Sequence, residues 1–163
     1  MAIVISNIKT TPVLVPFRHP PVTASGAIGE LPLVLLDVET DVGLTGHAYL
    51  FVFLKSMLKP TMSCVAAIEE LVRGMNADPE QVDPLLRQQL RLLDTHGILG
   101  QVLAGLDMAL WDIRAKSEEL SLAKVLGDPK EYVKAYNSCG LWLEKGDPEK
   151  LADQAQELLA EGD

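Results

Sequence analysis

Positive charge is scarce in this chain: fourteen Lys and Arg stand against twenty-three Asp and Glu in 163 residues, a formal charge of −9. Phosphate backbones and anionic membrane surfaces are held by clustered cations, so the sequence predicts neither a nucleic-acid nor a membrane partner. Long apolar runs are also missing. A stretch such as Leu33–Leu36 falls far short of the roughly 20 residues of a spanning helix, and no basic segment leads into an apolar core at the N-terminus. The expectation is a cytoplasmic protein. Cys64 and Cys139 cannot make a disulfide framework and lack the paired spacing of a zinc site. His19, His47 and His96 show no HxxxH, HExxH or facial-triad spacing. There is no GxSxG nucleophile motif, and the Gly43–Gly46 pair joins strands where a phosphate loop would open a helix.

Apolar material is ample, at 48% of residues, enough for one globular domain or slightly more. Residues 3–16 are rich in β-branched side chains and read as a strand, with a bulge or an edge position at Pro12. Residues 17–30 hold small residues, prolines and glycines and read as a loop too long for a tight hairpin. Residues 31–40 and 44–51 form an antiparallel hairpin about the turn Asp41-Val42-Gly43, giving three strands in all. From Leu54 the period turns helical. A first helix carries Met57, Leu58, Met62, Val65, Ile68, Leu71 and Val72, with Pro60 near its start. A second opens at Asp78-Pro79-Glu80 and carries Val82, Leu85, Leu86, Leu90 and Leu93. The third, 98–116, stripes Leu99, Val102, Leu103, Leu106, Leu110 and Ile113, with Gly105 and Ala109 permitting close packing, and reads as the core helix. One or two further helical turns fit residues 121–126. Tyr132 to Cys139 reads as a strand, and Asp147-Pro148 opens a helix with Leu151, Ala155, Leu158 and Leu159 on its face. A strand followed by a helix is the opening of a βα repeat, which needs a second parallel strand beyond the crossover.

The loop Pro21–Gly29 is apolar and hinged by glycines, which suits a lid over a modest ligand; the competing reading is an ordinary solvated loop. Phe51-Val52-Phe53 offers either a second apolar wall or core packing. His47 reads as a packed or surface histidine rather than a catalyst. Asp107 and Asp112 lie five residues apart, off one helical face, so they read as structural carboxylates and not as a catalytic dyad.

Four stretches in order, VLLDVET (34–40), GLTGHAYLF (43–51), AGLDMALWDI (104–113) and LAKVLG (122–127), resemble the N-terminal region of the enolase superfamily, in its mandelate racemase and muconate lactonizing branch. The resemblance spans essentially the whole chain. VTASGAIG (22–29) and GHAYLF (46–51) are similar to the mandelate racemase group in particular, although many members carry an acidic residue and a second glycine where this chain has His47-Ala48-Tyr49. The resemblance implies an α+β fold: a three-stranded antiparallel sheet followed by a helical bundle as capping domain (1–130), then the first strand and helix (131–163) of an incomplete TIM-type barrel. It implies magnesium-dependent removal of the proton α to a carboxylate, in racemisation or dehydration of a 2-hydroxy acid or acid sugar. The catalytic bases and metal ligands of the family fall beyond Asp163, so no catalytic or metal-binding residue is assigned. Carried over as substrate-binding are Val22, Thr23, Ser25 and Ile28 on the loop, Phe53 after the third strand, and Ser138 at the end of the first barrel strand. The apolar loop favours a hydrophobic or aromatic distal group.

A barrel of this type needs about 250 residues. The 163-residue chain alone is therefore expected to be inactive, and the full-length protein to be a homo-oligomer acting on a small carboxylate. The alternative is a non-catalytic α+β module that binds a partner chain or a small ligand.

Overall fold

The computed structural model describes residues 2–17, 20–23, 26–93, 96–127, 132–134, 136 and 148–161. The chain divides into two compact units, one of residues 1–14 and 32–131 and the other of residues 15–31 and 132–163. The strands are β1 (Ile5–Pro16), β2 (Val22–Thr23), β3 (Gly26–Ala27), β4 (Glu30–Thr40) and β5 (Thr45–Phe51). A 3₁₀ turn (Lys55–Met57) leads into α1 (Leu58–Val72), followed by α2 (Pro79–Gln89), α3 (Gly97–Ser117), α4 (Leu122–Val125) and α5 (Pro148–Glu161).

In the first unit the three long strands make an antiparallel sheet in the order β1-β4-β5. β4 and β5 pair in the register Val34↔Leu50, Leu36↔Ala48 and Val38↔Gly46, closed by the turn at 41–43. Gly43 occupies the left-handed region there at φ 81° and donates to the Thr40 carbonyl at 3.2 Å, as a tight turn requires. The even-numbered residues of the hairpin, Val34, Leu36, Val38, Leu50 and Val52, are buried against the helices, while Leu35, His47 and Tyr49 face the other way, the alternation a half-covered sheet demands.

β1 departs from strict alternation. Ile5 and Ile8 are both buried although three residues apart. Ile5 exchanges bonds with the outer segment, taking the Met75 carbonyl at 2.9 Å and receiving the Gly74 amide at 2.8 Å, yet the Ile8 amide also turns outward, to a Glu69 carboxylate oxygen at 3.0 Å. One extra residue between them, a bulge, reconciles both facts. Continuing that register puts the nitrogen of Pro12 on the outer rim, where its missing N–H costs no ladder bond.

α3 is the core helix, as its stripe implies: Val102, Leu103, Leu106, Leu110 and Ile113 are buried, each such side chain contributing roughly 1.5–3 kcal/mol. It lies so close to β5 that a Cβ built at Gly46 would overlap the Ala109 carbonyl oxygen and stand 2.8 Å from its carbonyl carbon, while one at Gly105 would overlap the end of the Leu50 side chain. The other stripes are narrower than the sequence suggests. On α1 the buried residues are Thr61, Val65, Ile68 and Val72, and Leu71 is exposed; on α2 they are Pro79, Val82 and Leu86. Leu93 lies past the end of α2 and is exposed. Asp78 caps α2 by accepting the Glu80 amide at 3.1 Å, with Pro79 at the first helical position.

In the second unit, the described part of residues 17–30 is not a plain loop. Val22 pairs with Ala27 and Thr23 with Gly26, a short hairpin the sequence reading did not expect. Two-residue strands are too short to carry a periodic signal. Residues 132–134 and 136, part of the expected strand Tyr132 to Cys139, are not in a strand, and the rest of that stretch lies outside the described residues. A parallel strand is defined by bonds to a neighbour, and no described strand pairs with them. The helix expected from Pro148 is present as α5.

Candidate capping site

Of the residues carried over as substrate-binding, Val22, Thr23 and Ile28 fall in the hairpin of the second unit and Phe53 in the first unit; Ser25 and Ser138 lie outside the described residues. The hairpin is tied by more than its two strand pairs. The Ile28 amide donates to the Pro21 carbonyl at 2.9 Å, and the Phe17 amide to the Gly29 carbonyl at 3.1 Å. These bonds hold Val22, Thr23 and Ile28 on one ribbon. Val22 is exposed and Ile28 half-buried. Gly26, at φ 113°, is in a conformation that side chains resist.

Phe53 is 65% exposed, an unusual state for a phenyl ring immediately after a core strand. Of the two readings of Phe51-Val52-Phe53, core packing holds for Val52, which is buried, and not for Phe53. Its φ is 57°, and the Leu54 amide donates across it to the Val52 carbonyl at 2.6 Å. A bond spanning one residue of positive φ is a γ-turn of the rare, strained kind. The turn tips the Phe53 ring back over Phe51, with ring centroids 4.0 Å apart and planes 34° apart. Phe51 itself is held from the helix side, since Gln101 Nε2 donates to its carbonyl at 3.3 Å.

α3 also reaches the outer rim of β5 at His47 and Thr45. The His47 amide donates to Asp112 Oδ2 at 2.9 Å, and Lys116 Nζ donates both to that oxygen and to the Thr45 carbonyl, each at 2.6 Å. Asp112 is thus a structural carboxylate, as its position predicts. His47 Nδ1 lies 2.8 Å from Asp37 Oδ1 in an exposed cross-strand pair, a surface contact worth about 0.2–1 kcal/mol. Asp107 differs: burial, then the neighbouring Asp83 charge, push its carboxyl above the usual range, against the opposing pull of Arg87 and of a hydrogen bond from Trp111. Burial likewise pushes the Cys64 thiol up, away from reactivity. Among the described residues, no three His, Cys, Asp or Glu side chains are grouped to hold a metal ion.

The sequence profile of the mandelate racemase / muconate lactonizing enzyme N-terminal domain matches residues 5–127. The chain belongs to the mandelate racemase/muconate lactonizing enzyme family. Its relatives include the arabinonate dehydratase of Saccharolobus solfataricus, 32% identical over 133 residues, a match covering 76% of this chain and 33% of that enzyme. A Bradyrhizobium enolase crystallised with magnesium and mandelic acid is 33% identical and superposes with a TM-score of 0.73 over 77% of this chain and 35% of its own. An enolase from the alpha proteobacterium bal199, crystallised with bound magnesium, is 31% identical with a TM-score of 0.88, over 98% of this chain and 44% of its own. The chain therefore spans about a third of the curated relative's length. Relatives in this family thus include a dehydratase and a protein that holds mandelate.

Proposed function

We propose that this chain is the substrate-capping part of a cytoplasmic, magnesium-dependent enzyme that removes the proton α to a carboxylate, acting on a 2-hydroxy acid or acid sugar. The observation that carries the reading is the family match over residues 5–127. A proton α to a carboxylate is far too weakly acidic for an unaided neutral base, so its removal needs charge stabilisation in a site closed to water. The described residues offer no group of side chains fit to hold magnesium, and no chemical step is assigned to them. Their part is enclosure. Val22 and Ile28 on the hairpin of one unit, and Phe53 on its γ-turn in the other, each present apolar surface of the kind that excludes water and discriminates by shape. Thr23, Ser25 and Ser138 complete the proposed set. Residues 1–130 are the cap in this reading, and residues 131–163 the opening of the barrel.

Such surface favours an aromatic distal group over a polyhydroxylated one. The test is α-proton exchange into deuterated solvent with magnesium, using mandelate and arabinonate. The natural protein carrying this sequence is expected to exchange at least one of them, residues 1–163 alone neither, and Phe53→Ala to change the preference between them by about tenfold or more. Exchange by residues 1–163 alone overturns the reading. So does a natural protein of only 163 residues with no exchange, which leaves a binding module in its place.

A further inference from the structure

The conformation of Phe53 is set where the β4–β5 ladder ends. In the β4–β5 ladder the even-numbered pairs Val34↔Leu50, Leu36↔Ala48 and Val38↔Gly46 face each other, and the next pair in that series is Pro32 with Val52. Half of that last pair exists: the Val52 amide donates to the Pro32 carbonyl at 3.2 Å. The returning bond, from the amide of residue 32 to the Val52 carbonyl, has no donor because proline carries no N–H. The Val52 carbonyl takes the Leu54 amide instead, at 2.6 Å, and Phe53 is bent to φ 57° between them.

We propose that Pro32 is a positioning residue for Phe53: by withholding one ladder donor it turns the strand end into a γ-turn and fixes the direction in which the exposed ring points. Pro32 is buried and cannot itself meet a ligand. Any other residue at position 32 would offer an N–H to the Val52 carbonyl and extend the ladder. The Leu54 amide would then lose its acceptor, and Phe53 would relax to an extended conformation, as residues without strain do. The significance for substrate choice rests on the capping role proposed above for Phe53, whereas the conformational effect does not.

The experiment is Pro32→Ala, together with a chain in which residue 32 is lactic acid, an alanine analogue whose ester oxygen replaces the N–H. NMR of the 163-residue chain reads the intraresidue amide-to-Hα cross-peak of Phe53, which is strong when φ is positive. The expected result is loss of the strong cross-peak in Pro32→Ala and its return in the lactic acid chain, a rescue no general loss of packing would give. Persistence in Pro32→Ala overturns the proposal. Loss in both chains also overturns it, since the proline ring and not the missing donor would then be responsible. In the natural enzyme, Pro32→Ala is expected to move the mandelate-to-arabinonate preference in the same direction as Phe53→Ala. If Phe53→Ala leaves that preference unchanged while the cross-peak behaves as expected, the capping role falls and the conformational assignment stands.

Discussion

The close approach of β5 to α3 makes a sharp comparison between two glycines. A methyl group at Gly46 would collide with the Ala109 carbonyl oxygen and come within 2.8 Å of both the Ala109 carbonyl carbon and Ile113 Cγ1. The obstacle is helix backbone, which cannot swing aside, so strand and helix must separate along a seam whose other side chains are fully packed. Overpacking costs about 1–3 kcal/mol and occasionally more, and a collision with main chain belongs at or beyond the top of that range. Loss of glycine's freedom in the unfolded chain returns about 0.4–1 kcal/mol. Gly46→Ala is thus expected to lose about 3 kcal/mol. At Gly105 the nearest atoms are the end of Leu50, with Leu50 Cγ at 3.3 Å and Leu36 Cδ2 at 3.6 Å. A leucine can change rotamer for about 1 kcal/mol, and alanine improves a helix interior by about 1 kcal/mol. Gly105→Ala is expected to cost no more than about 1 kcal/mol. Urea unfolding of the 163-residue chain, followed by far-UV circular dichroism, measures both. At about 1–3 kcal/mol per molar urea, the Gly46 variant's midpoint should fall by roughly 1–3 M. A Gly46→Ala variant within about 0.5 kcal/mol of the parent, or less harmed than Gly105→Ala, would refute the packing argument.

Two further substitutions are expected to stabilise. Glu119 ends α3 at φ 54° in a Schellman arrangement, with the Leu120 amide on the Ala115 carbonyl at 3.0 Å and the Glu119 amide on the Lys116 carbonyl at 3.2 Å; Glu119→Gly should gain about 0.5–1 kcal/mol in the same unfolding experiment, and any loss counts against it. Asp107 has its carboxyl raised by burial and by Asp83, so the folded chain binds its proton more tightly than the unfolded one. Stability then falls as pH rises from the unfolded value through the folded one, and the penalty is complete above both. Asp107→Asn should therefore be more stable than the parent at pH 7, with the gain shrinking as pH falls through the raised folded value and gone below the ordinary carboxylate value of 3.8; a gain independent of pH would point to some other cause.

Features that depend on one local period were open to view in the sequence. The stripe of α3, the turn at Asp41-Val42-Gly43 and the Asp78-Pro79 opening of α2 each declare themselves within a few residues. Phe53 is offered by the segment Phe51-Val52-Phe53 as wall or core and assigned to substrate by family resemblance, yet nothing local reveals that its ring is outside or its backbone bent. That depends on Pro32, twenty-one positions earlier, falling opposite Val52, and a register is set only when two strands meet. The bulge in β1 has a visible trace, two isoleucines three apart within a strand, whereas Pro12 signals only the bulge-or-edge alternative, of which the outer rim is the edge. The hairpin at 22–27 left no trace, because two paired residues per strand are fewer than one period of alternation. Leu71, exposed on α1, shows the opposite error: helical spacing makes a residue eligible for the core, and only the neighbouring elements decide whether it enters.

Each rim of the sheet is occupied at several positions. Gln101, Asp112 and Lys116 occupy Phe51, His47 and Thr45 on β5, while the Gly74–Ala77 segment and Glu69 occupy Ile5 and Ile8 on β1 and Ile3 just before it. Unsatisfied rims are what let a sheet recruit an extra strand from a neighbour, in assembly or in fibre growth. At these positions such growth would have to break a bond before making one. A visitor to this sheet is steered toward its flat side or the ends of its strands, and Phe53 stands at one of those ends.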